Sequence, residues 1–164
     1  LIIVSKHQSA FETFALYYYL NKSFFIHKKQ LFYIPIFGQY LMKSNMVSIN
    51  RKEKTKAIKK MIFEVKKRLN DGSSIIIFPE GTRKKPGEKA DYKSGFVAIY
   101  NATQRRLLPV AVNSGLYWPK KDFIMKKGII KIDIQKPIDS NLSKNEVLNK
   151  VETSIENASN RLLL

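Results

Sequence analysis

The chain has 164 residues, 44% of them hydrophobic, which suits a single domain spanning residues 1–164 with a proper core. It has no cysteine and only two histidines, His7 and His27, so a disulfide framework, a thiolate nucleophile and thiolate or polyhistidine metal sites are excluded and no metal is expected. Thirty Lys and Arg against 13 Asp and Glu leave a net charge of +17, which favours an anionic partner: nucleic acid, an anionic membrane or a phosphorylated substrate. No apolar run reaches the roughly 18 residues of a membrane span. The nearest, Leu31 to Met42, is broken by Pro35, Gly38 and Gln39. The chain opens on Leu-Ile-Ile-Val with no signal-peptide pattern, and we expect residues upstream of it to be missing.

Ile2 to Val4 reads as a short strand ending at Lys6-His7, and Phe11 to Leu20 changes to helical spacing. Leu31 to Gly38 is aromatic and irregular, and Met46 to Ile49 is a possible short strand. From Glu53 to Asn70 the residues Ala57, Ile58, Met61, Ile62, Val65 and Leu69 recur at helical intervals, with lysines on the other faces and Asn70-Asp71-Gly72 as the stop. Ser74 to Phe78 is a run of isoleucines that suits a strand buried on both faces. A polar loop from Lys84 to Lys93 precedes a helix from Gly95 to about Thr103. Strands from Leu107 to Val112 and Ile129 to Ile134, and a helix from Lys144 to about Leu163, complete the pattern. The alternation predicts an α/β fold, a layer of largely parallel sheet flanked by helices. Sites in such sheets gather beyond the carboxyl ends of the strands, where His7, Arg51 and the Glu80 to Arg83 segment fall.

Ser9 followed three residues on by Glu12 is a helix capping-box pattern. The same Glu12 can also hold His7, because a histidine in the turn before a helix can fold back over the first helical turn. An imidazole held in this way presents its other nitrogen as a base. No serine shows a nucleophile-elbow pattern, so a histidine base acting directly on a substrate hydroxyl is simpler than a covalent mechanism. Phe78-Pro79-Glu80-Gly81-Thr82-Arg83 reads either as a tight turn with an exposed arginine or as an anion cradle of backbone N–H groups, the Thr82 hydroxyl and the Arg83 fork. Arg51 is either a second claw of that cradle or a solvated charge.

Together these residues resemble the 1-acylglycerol-3-phosphate (lysophosphatidic acid) acyltransferase family. His7 and Glu12 keep the spacing of its histidine, four residues, aspartate motif, with glutamate for aspartate, and Lys6 stands where asparagine is common. Lys28-Lys29-Gln30-Leu31 with Pro35 to Gly38, and Ile49-Asn50-Arg51, are similar to the second motif region. Phe78 to Arg83 matches the third motif without change, Lys93-Ser94-Gly95 resembles the Lys-x-Gly that follows, and Leu108-Pro109-Val110 resembles the proline-centred fourth motif. The resemblance covers about Leu1 to Val112.

The resemblance implies a glycerolipid-acyltransferase-like domain lacking an N-terminal membrane-associated helical region. It implies transfer of an acyl chain from acyl-CoA or acyl carrier protein to the free hydroxyl of lysophosphatidic acid, giving phosphatidic acid for phospholipid biosynthesis, without a cofactor. His7 would be the general base, oriented by Glu12. Arg51, Glu80, Gly81, Thr82 and Arg83 would surround the acceptor's phosphate and glycerol, Glu80 by orienting an arginine or the acceptor's hydroxyl rather than by touching phosphate, with Lys93 and Pro109 in support. Another lysophospholipid or glycerol 3-phosphate is the alternative acceptor. The basic helix reads as core-packed on one side with solvated lysines on the other, and its charge, with Trp118, Lys120 and Lys121, suits an anionic membrane at the cytoplasmic face. A nucleic-acid binder or a non-catalytic membrane module is the rival from another class. The aromatic residues cluster in apolar stretches and no nucleic-acid motif occurs, so no nucleic acid is expected.

Overall fold

A computed structural model describes residues 1–44, 46–50, 54–88, 90–120 and 124–164. In chain order the elements are β1 (Ile2–Ser5), α1 (Phe11–Tyr19), β2 (Ser23–Lys28), a 3-10 turn (Lys29–Tyr33), α2 (Phe37–Lys43), β3 (Val47–Ile49) and α3 (Lys54–Asn70). Then follow β4 (Ser74–Ile77), α4 (Gly95–Thr103), β5 (Leu107–Val112), α5 (Ser114–Tyr117), β6 (Ile132–Ile134) and α6 (Lys144–Arg161). The strands form one sheet in the order β3-β2-β4-β1-β5-β6. Every pairing is parallel except that of β5 with β6. The expected α/β class and largely parallel sheet are therefore what the chain adopts.

The two-residue period of a strand divides the core between the faces of the sheet. Ile2, Val4 and Ile75 point to one face, where Met61, Val65 and Leu69 of α3, Phe96, Ile99 and Tyr100 of α4, and Val147, Val151 and Ile155 of α6 cover them. Ile3, Ile76, Val110 and Val112 point to the other, packed with Leu16 of α1. The lysines of α3 at 56, 59, 60, 66 and 67 are exposed while Ala57, Met61, Val65 and Leu69 are buried, as the helical period requires. Helix α6 starts in a complete capping box, with Ser143 Oγ accepting from Glu146 N and Glu146 accepting from Ser143 N.

Several elements depart from the sequence reading. Strand β2 was not foreseen: it is introduced by Lys22 at φ +54, a left-handed turn at a position with no glycine to mark it. The aromatic segment at 31–38 holds the end of the 3-10 turn and the start of α2. Strand β6 begins at Ile132 rather than Ile129, and the start of the basic helix before Lys54 lies outside the described residues.

Register sets the site. Val4 pairs with Ile77 of β4 and with Pro109 of β5, so the chain beyond β1 emerges between the ends of β4 and β5. His7, Glu80 and Ser114 are delivered to neighbouring positions by three adjacent parallel strands.

Candidate active site

The chain leaves β1 with Lys6 N donating to Val110 O at 2.9 Å, and His7 O accepts from Lys84 N at 2.8 Å. His7 is thus tied to Lys84, at the end of the Glu80 to Arg83 turn. The His7 ring stacks on Phe78, with centroids 4.0 Å apart and planes 13° apart. Its Nδ1 lies 2.8 Å from Glu12 Oε1. An ionised carboxylate only accepts, so Nδ1 carries the proton and Nε2 offers its lone pair.

Glu12 is wholly buried. Besides His7, its Oε1 accepts from Gln8 N at 2.7 Å and Ser9 N at 2.8 Å. Its Oε2 accepts from Ser114 Oγ at 2.6 Å. Four donors converge on one carboxylate, the arrangement that makes a buried charge tolerable. The capping box expected at Ser9 and Glu12 is half formed. Glu12 accepts from Ser9 N, but Ser9 Oγ accepts from Phe11 N at 3.1 Å, because α1 begins one residue later, after Ala10. Glu12 both secures the helix start and holds the histidine.

Under this pair lies a second charged cluster. Lys6, 1% exposed, has its ammonium 2.6 Å from Glu156 Oε1 of α6 and 3.0 Å from Glu80 Oε1. Tyr92 OH donates to the same Glu156 oxygen at 2.8 Å. Burial, with the Glu156 charge beside it, holds the Tyr92 phenol well above its ordinary range. Glu80 is buried and neither of its oxygens meets a well-aligned donor. Burial outweighs the attraction of Lys6 and pushes the Glu80 carboxyl up to about 7. The Glu80 side chain sits beneath the turn, directed inward to the Lys6 ammonium, which agrees with an indirect part for it and not with a direct phosphate contact.

Gly81 adopts φ +67 and its N–H donates to Phe78 O at 3.1 Å, which leaves Gly81 and Thr82 exposed at the tip of the turn. Lys120 reaches this turn, donating to Thr82 Oγ1 at 3.0 Å and Arg83 O at 3.3 Å, so the ammonium expected at a membrane joins the cradle. Lys93 supports the turn by its backbone, N to Pro79 O at 2.8 Å, while its side chain pairs with Asp91. Pro109 is buried within β5 opposite Val4. Trp118 is half-buried at the end of α5. Arg51 and Lys121 lie outside the described residues. Among the described residues no group of acidic, histidine or cysteine side chains could hold a metal ion. The sequence reading missed Ser114 and Glu156, which reach the site from distant parts of the chain, and the burial of Lys6 beside His7.

A buried carboxylate thus holds a histidine beside a glycine turn at the carboxyl ends of a mostly parallel sheet, an arrangement that suits the glycerolipid acyltransferases the sequence resembles. The chain belongs to that acyltransferase family: the family pattern described as Acyltransferase matches residues 1–113. It is similar to the 1-acyl-sn-glycerol-3-phosphate acyltransferase of Pseudomonas aeruginosa, 34% identical over 133 residues, covering 81% of this chain and 52% of the relative. The enzyme of the same name from Helicobacter pylori is 36% identical over 116 residues, covering 69% of this chain and 48% of the relative. The chain thus spans about half the length of these curated relatives. The crystal structure of the 1-acyl-sn-glycerophosphate acyltransferase PlsC from Thermotoga maritima matches at a TM-score of 0.81 and 26% identity, over 99% of this chain and 66% of that one.

Proposed function

We propose that this chain is the catalytic domain of a 1-acylglycerol-3-phosphate acyltransferase, using acyl-CoA or acyl carrier protein as donor and giving phosphatidic acid for phospholipid biosynthesis. The observation that carries the reading is the 2.8 Å contact of His7 Nδ1 with a wholly buried Glu12, tied through His7 O to the segment following the Gly81 turn. His7 Nε2 removes the proton from the acceptor's free hydroxyl as that oxygen attacks the thioester carbonyl. The C–S bond then breaks, and the imidazolium returns its proton to the departing thiolate. Glu12 stays ionised and stabilises the imidazolium. The Gly81 and Thr82 turn, Arg83, Lys120 and Arg51 bind the acceptor's phosphate. Bringing both reactants into line supplies a large part of the acceleration. No cofactor enters the scheme.

The domain works at the cytoplasmic face of an anionic membrane, where its lysolipid acceptor resides. Supporting this, Phe14 and Tyr18 on the outer side of α1, with Tyr33 and Ile36, expose large apolar side chains. No helix among the described residues is long and apolar enough to cross a membrane. The test is thiol release from an acyl thioester donor with lysophosphatidic acid, other lysophospholipids and glycerol 3-phosphate as acceptors. Acceptor-dependent release that is fastest with lysophosphatidic acid is the expected result. Faster release with another acceptor moves the assignment within the family. Tight polynucleotide binding with no release from any acceptor overturns the reading.

A further inference from the structure

Glu12 is served unequally at its two oxygens. Oε1 takes three donors, Gln8 N, Ser9 N and His7 Nδ1, all from the turn that carries it. Oε2 has one hydrogen-bond partner among the described residues, the hydroxyl of Ser114, 102 residues away in sequence. Both residues are wholly buried, so no solvent donor stands in if the hydroxyl is lost.

The turn that presents Ser114 is itself braced. Asn113 Oδ1 accepts from Lys131 N at 2.7 Å, and Gly115 N donates to Gln8 Oε1 at 3.1 Å. A Cβ on Gly115 would meet Gln8 Cβ at 2.9 Å and Pro86 ring atoms at 3.0 Å, so only glycine lets the turn approach this closely. Serines at helix starts usually satisfy local backbone groups. Ser114 instead spends its donor on a carboxylate across the site.

We propose that Ser114 is a positioning residue for the His7–Glu12 pair, its hydroxyl fixing the rotation of the Glu12 carboxylate so that Oε1 stays against His7 Nδ1. The proposal rests on the reading of His7 as the base. With the carboxylate clamped at Oε2, the Nδ1 proton has one acceptor in one place, and the lone pair stays on Nε2, facing the substrate. Without the clamp the carboxylate is held from the Oε1 side alone, by Gln8 N and Ser9 N, so its plane tilts against His7 Nδ1 and the imidazole samples its other tautomer, in which Nε2 carries the proton and cannot act as a base.

The test is Ser114→Ala, with Ser114→Cys as a variant of similar volume that keeps a weaker donor. In the full chain labelled with 15N-histidine, the parent's His7 shows a protonated Nδ1 and an unprotonated Nε2. Ser114→Ala shifts both nitrogens toward the averaged values of mixed tautomers, while His27, the other histidine of the chain, serves as the unmoved reference. Turnover falls roughly tenfold, the lower end of the range for losing a group that orients a working histidine, with the KM of both substrates held. Ser114→Cys falls between parent and alanine, and it carries the test if the alanine variant does not fold. Parent-like nitrogen signals and turnover in the folded variant overturn the proposal, as does a loss confined to KM. If the parent itself releases no thiol with any acceptor, the acyl-transfer reading fails on its own, and the nitrogen signals still decide whether Ser114 sets the tautomer.

Discussion

Glu12 and Glu80 are both buried carboxylates a few ångströms from cations or cation-forming groups, yet the chain treats them oppositely. Glu12 is met by four donors, so its charge is retained, and Glu12→Gln isolates that charge. The amide oxygen can take the place of Oε1 against Gln8 N, Ser9 N and His7 Nδ1, and the amide N–H can donate to Ser114 Oγ, whose hydroxyl reverses its role. We expect melting to change little and turnover to drop roughly 100-fold, since the amide cannot stabilise the imidazolium. Glu12→Asp keeps the charge and should retain activity. Turnover of Glu12→Gln within about twofold of the parent would make Glu12 a helix-start residue only. Glu80 lacks aligned donors, and its folded-state carboxyl is raised from 4.5 to about 7. Between those values the folded chain holds a proton that the unfolded chain has released. Its contribution to stability is therefore complete below the lower value and lost as pH rises to about 7. Denaturant unfolding of Glu80→Gln and parent should diverge in the variant's favour as pH rises from about 5 to about 8, by roughly 3 kcal/mol at most. Parallel curves would mean the buried carboxylate costs nothing.

At the scale of elements, what the sequence reveals depends on whether the cause is local. The spans of α4 and β5 follow directly from their residues, because helical and strand spacing are properties of a few consecutive side chains. The same is true of His7 and Glu12, five residues apart on one turn. Strand β2 escapes the reading because Ser23-Phe24-Phe25-Ile26-His27-Lys28 has no alternation of polarity, and the turn before it uses a lysine at positive φ. Ser114 and Glu156 escape it because they reach the site through strand order and helix packing: β5 lies beside β1, and α6 packs over the opposite face from α1. The turn from β5 into α5 is correspondingly intolerant. Gly115→Ala drives a methyl into Gln8 and Pro86, and relief requires moving the turn that carries Glu12's partners. We expect a loss of about 1–3 kcal/mol in unfolding free energy. Turnover should fall together with stability, in contrast to Glu12→Gln. An alanine variant with the parent's melting curve would show that the turn moves aside at no cost.

Over the whole molecule two surfaces coexist, and they respond differently to salt. The net charge of +17 is spread over many exposed lysines, including those of α3, and attracts anionic headgroups by about 1 kcal/mol for each residue near the surface. Tyr18, Tyr33 and Ile36, exposed by 80%, 82% and 83%, add apolar area whose burial is insensitive to ionic strength. The sheet order bears on this, since α1 packs on the face where His7 stacks on Phe78, while α3, α4 and α6 cover the other. Exposed apolar groups on α1 therefore lie on the same side of the sheet as the His7–Phe78 stack. Sedimentation with phosphatidylglycerol vesicles should show binding at about 0.1 M salt that falls steeply toward about 1 M, where the screening length contracts to about 3 Å. Pure phosphatidylcholine vesicles should retain only the weak, salt-resistant part. The triple substitution Tyr18→Ser, Tyr33→Ser and Ile36→Ser should weaken that residual part and leave the salt-dependent part in place. Equal binding to both vesicle types, unaffected by salt, would rule out the charge as a source of membrane affinity.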